Sequence, residues 1–228
     1  MPGSIERQHT NREFERELKQ LRERLLAMGG RAEQQISAAV ACLVDRDDER
    51  ASKVIDDDER IDLDEREIDE LAFAVIARRQ PVASDLRFVV FALKIVTDLE
   101  RIGDLAVNIA KRARDLARLD PSPAEMRLVE LAVRVRAALK DALDAFAHSD
   151  VERAERVIHN DREIDLQNTH LIADLISTPT EGARDFARAL AISSISRYLE
   201  RIGDHATNVA EMVIYSLRGR DVRHPRQP

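Results

Sequence analysis

Residues 99–104 read LERIGD, and residues 199–204 read LERIGD again, each followed four residues after its Asp by an Asn. On a helix, Glu100, Asp104 and Asn108 fall on one face at successive turns, and so do Glu200, Asp204 and Asn208. Each half carries a second acidic pair at the same four-residue spacing, Asp58 with Asp62 and Asp161 with Asp165. Clustered carboxylate and amide oxygens, with no Cys and little His, suit hard or borderline cations: Mg²⁺, Mn²⁺, Ca²⁺ or iron ahead of a structural zinc. His205 stands beside Asp204 where the first half has Leu105, and as a ligand it would tilt the second site towards iron or zinc. The simpler reading makes it a surface His, like His159 and His170.

The competing reading of these acids is a solvated face. Glu100, Asp104 and Asn108 lie opposite the apolar seam Leu99, Ile102, Ala106, Ile109, and Arg101 and Arg201 offer counter-ions. Repetition of the same acids favours a site. So do Gly103 and Gly203, since Gly costs a helix interior about 1 kcal/mol relative to Ala and its presence twice implies a close approach to the backbone.

The register of the flanking helices brings the two acidic pairs together. Gln80–Pro81 must end a helix, because Pro lacks the N–H that a continuing helix needs and pushes its predecessor out of the α region. If the chain reverses there, Asp62 lies level with Glu100 and Asp58 with Asp104. The same construction about the Thr178–Glu181 turn sets Asp165 level with Glu200 and Asp161 with Asp204. Like charges held so close require protonation, an Arg partner or a cation.

Six long helices position these residues. Thr10 with Glu13 forms a capping box ahead of Phe14, Leu18, Leu21 and Leu25, so the first helix runs from about residue 11 to the Asp45–Asp47 cluster, with a possible kink at Gly29–Gly30. Asp47 caps a second helix reaching about Arg79. The third carries Phe88, Ala92, Ile95, Leu99, Ile102, Ala106, Ile109, Ala113 and Leu116 at alternating spacings of four and three, the seam of a helix in antiparallel packing. Asp120–Pro121 stops it. Ser122, Pro123 and Glu125 start the fourth helix, a Ser149–Glu152 capping box starts the fifth, and the sixth runs from the Thr178–Glu181 turn to about Leu217.

The pattern repeats at an offset of 103 residues before the turn, where Asp47 matches Asp150 and Ile61 matches Ile164, and of 100 after it, where Glu100 matches Glu200. The fold class is therefore all-α, with two tandem pseudo-symmetric three-helix bundles over 11–120 and 122–218. Residues 1–10 and 219–228 lack periodicity and are expected to be disordered.

Composition agrees: charged residues make up 35%, apolar residues 44% and aromatics only 4%, which leaves few β-formers. The net charge of −7 and the interleaving of Arg with acids exclude nucleic acid as the main ligand. The single Cys42 excludes an internal disulfide and suits a reducing compartment. With no long apolar run and no apolar leader, the expectation is a cytoplasmic protein that meets membranes only through partners.

No Walker loop, G-x-S-x-G elbow or Cys/His nucleophile pair is present, so the chain is not expected to be an enzyme. The catalytic alternative is a carboxylate-bridged metal enzyme of ferritin-like type. That chemistry uses Glu-x-x-His motifs facing a bundle interior, and the one such spacing here is Glu6 to His9.

With QPVASDLR at 80–87, DLERIGDLAVNIA at 98–110 and YLERIGDHATNVAEM at 198–212, the chain resembles the PhoU family, the phosphate-transport accessory and regulatory proteins of bacteria, from about Phe14 to Leu217. The resemblance implies metal ions held at acidic E/D-x-x-x-D motifs on the bundle surfaces. Those motifs map onto Glu100/Asp104, Glu200/Asp204, Asp58/Asp62 and Asp161/Asp165. It also implies a negative regulator of the phosphate-starvation response that couples a phosphate ABC transporter, through its ATPase, to a sensor histidine kinase. A homodimer fits the broad helical faces, and an accessory to another phosphate or ion transporter is the related alternative. One departure stands out: STPTEGARDFAR at 177–188 replaces the QPVASDLR turn in the second half.

Overall fold

A computed structural model describes residues 3–219, with side chains from residue 12 onward. Seven helices and no strand occur among them: α1 (Gly3–Asp45), α2 (Asp48–Asp56), α3 (Glu59–Arg79), α4 (Ala83–Ala117), α5 (Pro123–His148), α6 (Val151–Ser177) and α7 (Ala183–Arg218). The six-helix expectation differs at one place. The second helix is interrupted at Asp57–Asp58, between α2 and α3, whereas its counterpart α6 is continuous. The run Asp56–Asp57–Asp58 puts three adjacent carboxylates at that point, a composition that favours turns over helix.

α1 runs without interruption from Gly3, past the Thr10 capping box, because nothing between Ser4 and Glu13 breaks a helix. The tail from residue 220 lies outside the described residues. Gly29–Gly30 does not break α1 either. A Cβ on Gly29 would meet Leu143 Cδ2 at 2.5 Å, so this glycine lets α1 close on α5, while the space around Gly30 is open. The α6 start also differs: Ser149 takes a left-handed conformation at the end of α5, and Asp150 caps α6 by accepting from the Arg153 N–H at 3.0 Å. The capping box at Ser122 and Glu125 forms as the sequence indicates.

α1–α4 form the first bundle and α5–α7 the second, and one apolar core runs through both. α4 packs on α1, α3 and α7; α7 packs on α4, α5 and α6. Ala92, Ile95, Leu99, Ile102, Ala106, Ile109, Ala113 and Leu116 are all buried, which makes α4 the central helix of its half. Burying each such Leu or Ile contributes roughly 1.5–3 kcal/mol before entropy is counted. α4 and α7 cross antiparallel. Asp98, near the middle of α4, meets His205 and Asn208 of α7, while Arg112 further along α4 reaches Tyr198 earlier in α7.

The halves are also tied at the connection. Arg46, in left-handed conformation, donates to the carbonyls of Leu116 and Leu119 at the end of α4 and to Glu125 at the start of α5 at 3.0 Å. An aromatic group of Phe88, Phe91 and Phe146, with Arg22 over two of the rings, joins α4 to α5 beside α1.

Candidate metal centres

Each bundle presents its acids in the groove between the arms of its hairpin. In the second bundle, Asp161 and Asp165 of α6 and Asp204 of α7 bring carboxylate oxygens within 4.8 Å of one another. Burial raises the Asp161 pKa above the ordinary Asp value, and the charges of Asp165 and Asp204 raise it further. Asp204 is raised in the same way by burial and Asp165, and Glu200 by burial, Asp204 and Asp165. All four expected acids of this half thus share one electrostatic site.

The first bundle assembles the equivalent residues with different support. Asp58 stands at the break between α2 and α3, where Gln35 of α1 donates to its Oδ1 at 3.1 Å and reaches the Val54 carbonyl at 3.4 Å. Burial raises the Asp58 pKa, and Asp104 and Asp62 push the same way. Glu100 is raised by burial, then Asp104, with contributions from Glu65 and Asp62. Arg101 partly answers this charge, standing 3.4 Å from Glu100 and 3.6 Å from Asp104. In the second bundle Arg201 acts on Asp204 only at longer range, with no ion pair among the described residues.

Both glycines of the repeated phrase meet the opposite arm of the hairpin. A Cβ on Gly103 would lie 2.9 Å from Ile61 Cδ1 and 3.2 Å from Gln35 Oε1; one on Gly203 would lie 3.4 Å from Ile164 and 3.6 Å from Asp161 Oδ1. The close approach expected at these glycines is therefore that of a neighbouring helix. It brings α3 against α4, and α6 against α7, at the height of the acids.

Two residues sit elsewhere than the sequence suggests. His205 is half-buried, not a plain surface residue, with Nδ1 2.8 Å from Asp98 Oδ1. Asn208 donates to the same Asp98 oxygen at 3.1 Å, so its amide serves the α4–α7 contact. Asn108 is half-buried one turn beyond Asp104, while His159 and His170 are exposed as expected.

Sequence reasoning missed Glu65 and Asn168. Glu65 joins the charges of Asp62 and Asp104 in the first groove; Asn168, at the repeat offset, favours ionised Glu200 and accepts from the buried Ser196. The signal was available, since each stands three residues after the second Asp of its pair and shares its helical face. Gln35 and Thr207 were also missed. Gln35 is nearly buried with its Oε1 unpartnered, and the buried Thr207 Oγ1 makes no regular hydrogen bond although it lies close enough to favour ionised Asp161. Neither has a polar counterpart in the other half, where Ala138 and Val107 stand, so repetition could not reveal them.

The donor set fits a hard cation. It is oxygen-only and partly desolvated, its carboxylates repel one another, and a buried carbonyl oxygen in the first groove lacks a partner. Asp161, Asp165 and Asp204, with Glu200 beside them, would hold an ion in the second bundle, and Asp58, Asp62, Glu100 and Asp104 in the first. A bound cation would supply neutralisation of these carboxylates.

A family model described as the PhoU domain matches this chain twice, over residues 25–113 and 128–213. The chain belongs to the PhoU family. It is 43% identical over 217 residues to the phosphate-specific transport system accessory protein PhoU homolog of Pseudomonas putida, covering 95% of this chain and 85% of that protein. The crystal structure of PhoU from Pseudomonas aeruginosa superposes with a TM-score of 0.87 at 42% identity, over 91% of this chain and all of that one. That of the phosphate transport system regulatory protein PhoU from Streptococcus pneumoniae does so with a TM-score of 0.86 at 26% identity, over 92% of this chain and all of the other.

Proposed function

We propose that this PhoU-family chain is an accessory regulator of phosphate transport. In this reading it is a metal-binding adaptor that represses the phosphate-starvation response when phosphate is plentiful, by coupling the ATPase of a phosphate ABC transporter to a sensor histidine kinase. The observation that carries the metal-binding part is the pair of partly buried carboxylate grooves, repeated in both halves with the same four acids. Membership of the PhoU family, whose relatives are phosphate-specific transport system accessory proteins, supports the transport role. Docking needs rigid surfaces, and a single core through both bundles supplies them.

The adaptor works without catalysis and sits in the cytoplasm as a homodimer, reaching the membrane through its partners. No helix among the described residues is long and apolar enough to cross a membrane. The divalent or trivalent ion neutralises each groove and locks α3 to α4 and α6 to α7, so the docking faces keep one shape.

Deletion in the source organism tests the regulatory part. Cells lacking the protein are expected to express starvation genes at high phosphate, and a variant with Glu100, Asp104, Glu200 and Asp204 all changed to Ala to complement poorly. Normal repression in the deletion strain would overturn the role.

A further inference from the structure

The acids are not the only surface feature that both halves repeat. Large apolar side chains also stand exposed at matching places: Phe73 and Ile176 on α3 and α6, Leu86 and Phe186 on α4 and α7, and Val90 and Leu190 one turn further. Other exposed positions drift between the halves, Arg66 against Thr169 and Thr97 against Arg197. A single exposed Leu carries no message, but the same positions kept apolar twice mark a surface that something covers.

These patches share a face with the acidic grooves. Leu86 and Asp104 are 18 residues apart on α4, five full turns, and so are Phe186 and Asp204 on α7, which sets each patch on the same side of its helix as an acid. α1 and α5 pack on the opposite, buried sides of α4 and α7. Antiparallel α4 and α7 are related by a pseudo-two-fold axis. The bond between Asp98 and Asn208, and the cavity shared by Phe91 and Met212, put that axis near residues 102 and 202. At 1.5 Å per residue the Leu86–Val90 and Phe186–Leu190 patches lie roughly 40 Å apart along the helices, on opposite sides of the axis, with both grooves between them. At the first patch Leu86, Val90 and Phe91 line an open cavity of about 230 Å³ with Met212 and Tyr215 of α7. At the second, Phe186 and Leu190 are the larger pair, and Arg112 and Asp115 occupy the places of Met212 and Tyr215.

We propose that this face docks a partner that is itself a two-fold homodimer, whose axis falls on the pseudo-axis of this chain. Such a dimer presents every surface feature twice about its axis, so one chain with two like halves can meet it with both patches at once. Once one patch is engaged, the second contact is intramolecular and multiplies the affinity. Charge selects against a second copy of this chain as the occupant. Of the eight groove acids Arg101 pairs with two, and no Arg pairs with the others among the described residues, so two copies packed face to face would oppose like charges. Four carboxylates exceed the charge of a divalent or trivalent ion, so loading the grooves leaves that repulsion in place. The partner's central surface is therefore basic, with an apolar side chain on each arm. The proposal rests on the adaptor role and adds to it the symmetry of the partner.

The probes are the purified ATPase subunit of the organism's phosphate transporter and the soluble part of its sensor kinase, each mixed with the full chain and followed by analytical ultracentrifugation. A complex with two partner subunits for each chain is expected with at least one of them. Leu86→Ser with Val90→Ser, and separately Phe186→Ser with Leu190→Ser, should each weaken it about tenfold, and all four changes together should abolish it. These side chains are exposed, so the melting temperature should hold in every variant. One partner subunit per chain, or sensitivity to neither or only one patch, overturns the proposal and leaves the adaptor role standing. Failure of both probes to bind the wild type overturns the adaptor role and the proposal together. A wild-type dimer that the patch changes convert to monomer makes the occupant a second copy and overturns the partner assignment.

Discussion

The first and second acidic grooves contain the same four carboxylates but are held by different neighbours. In the first, the helix breaks at Asp57–Asp58, Gln35 reaches across from α1 to hold Asp58, and Arg101 stands within ion-pair distance of two acids. In the second, α6 is continuous, Asp161, Asp165 and Asp204 converge within 4.8 Å, and no Arg pairs with them among the described residues. The comparison teaches that the repeated phrase carries the ligand set, while unrepeated residues decide how much of its charge the protein answers by itself. The second groove gathers its carboxylate oxygens at ion-binding distances with no Arg paired to them, whereas the first adds a fifth acid, Glu65, where the second has the neutral Asn168.

The largest effect is expected where the halves meet. His205→Ala removes one of the two partners of Asp98, a carboxylate only 8% exposed, leaving Asn208 on the same oxygen, and the lost bond to a charged group should cost about 1–3 kcal/mol in denaturant unfolding. A loss near zero would mean that the α4–α7 contact does not need this bond, and that the second half's extra His is incidental.

The glycines sharpen the comparison at lower cost. Gly103→Ala forces a Cβ into Ile61 and Gln35, and overpacking of this kind costs about 1–3 kcal/mol, less the roughly 1 kcal/mol gained in helix propensity. Gly203→Ala meets only ordinary contact distances, so it should be neutral or stabilising by up to about 1 kcal/mol. Thermal melting of the two variants side by side checks this, and equal shifts would remove the asymmetry.

Smaller again is the pH effect. Asp58, Glu100, Asp161, Glu200 and Asp204 all have folded pKa values above the ordinary carboxylate values. A carboxyl raised on folding binds its proton more tightly in the native state, so stability falls as pH rises from the unfolded value through the raised folded one. Metal-free protein should therefore gain from this cluster as pH drops from neutral towards 5. Saturating Mn²⁺ at neutral pH should recover a similar gain. A melting temperature that falls on mild acidification and ignores the cation would contradict the electrostatic account.

Much of this architecture was legible in the sequence because it follows from periodicity and repetition. The α4 seam, the Pro81 reversal and the Ser122 cap each rest on local rules, and the register argument then placed Asp58 beside Asp104 and Asp161 beside Asp204. Features that occur once were not legible. The interruption at Asp57–Asp58 has no counterpart in α6, and Gln35 lies in a helix whose relation to the groove only tertiary packing sets. His205 looked like a surface residue because its partner, Asp98, is 107 positions away in the chain. Gly29 gave the same lesson in reverse: a residue that suggested a kink serves instead to admit Leu143 of α5.

The most direct measurement is elemental analysis by mass spectrometry of three folded proteins: the wild type, a variant with Asp58, Asp62, Glu100 and Asp104 changed to Ala, and one with Asp161, Asp165, Glu200 and Asp204 changed to Ala. The account predicts stoichiometric metal in the wild type, with the second-groove variant losing more of it than the first-groove variant. No metal in the wild type after incubation with Mg²⁺, Mn²⁺ or iron would contradict it, as would equal retention in both variants.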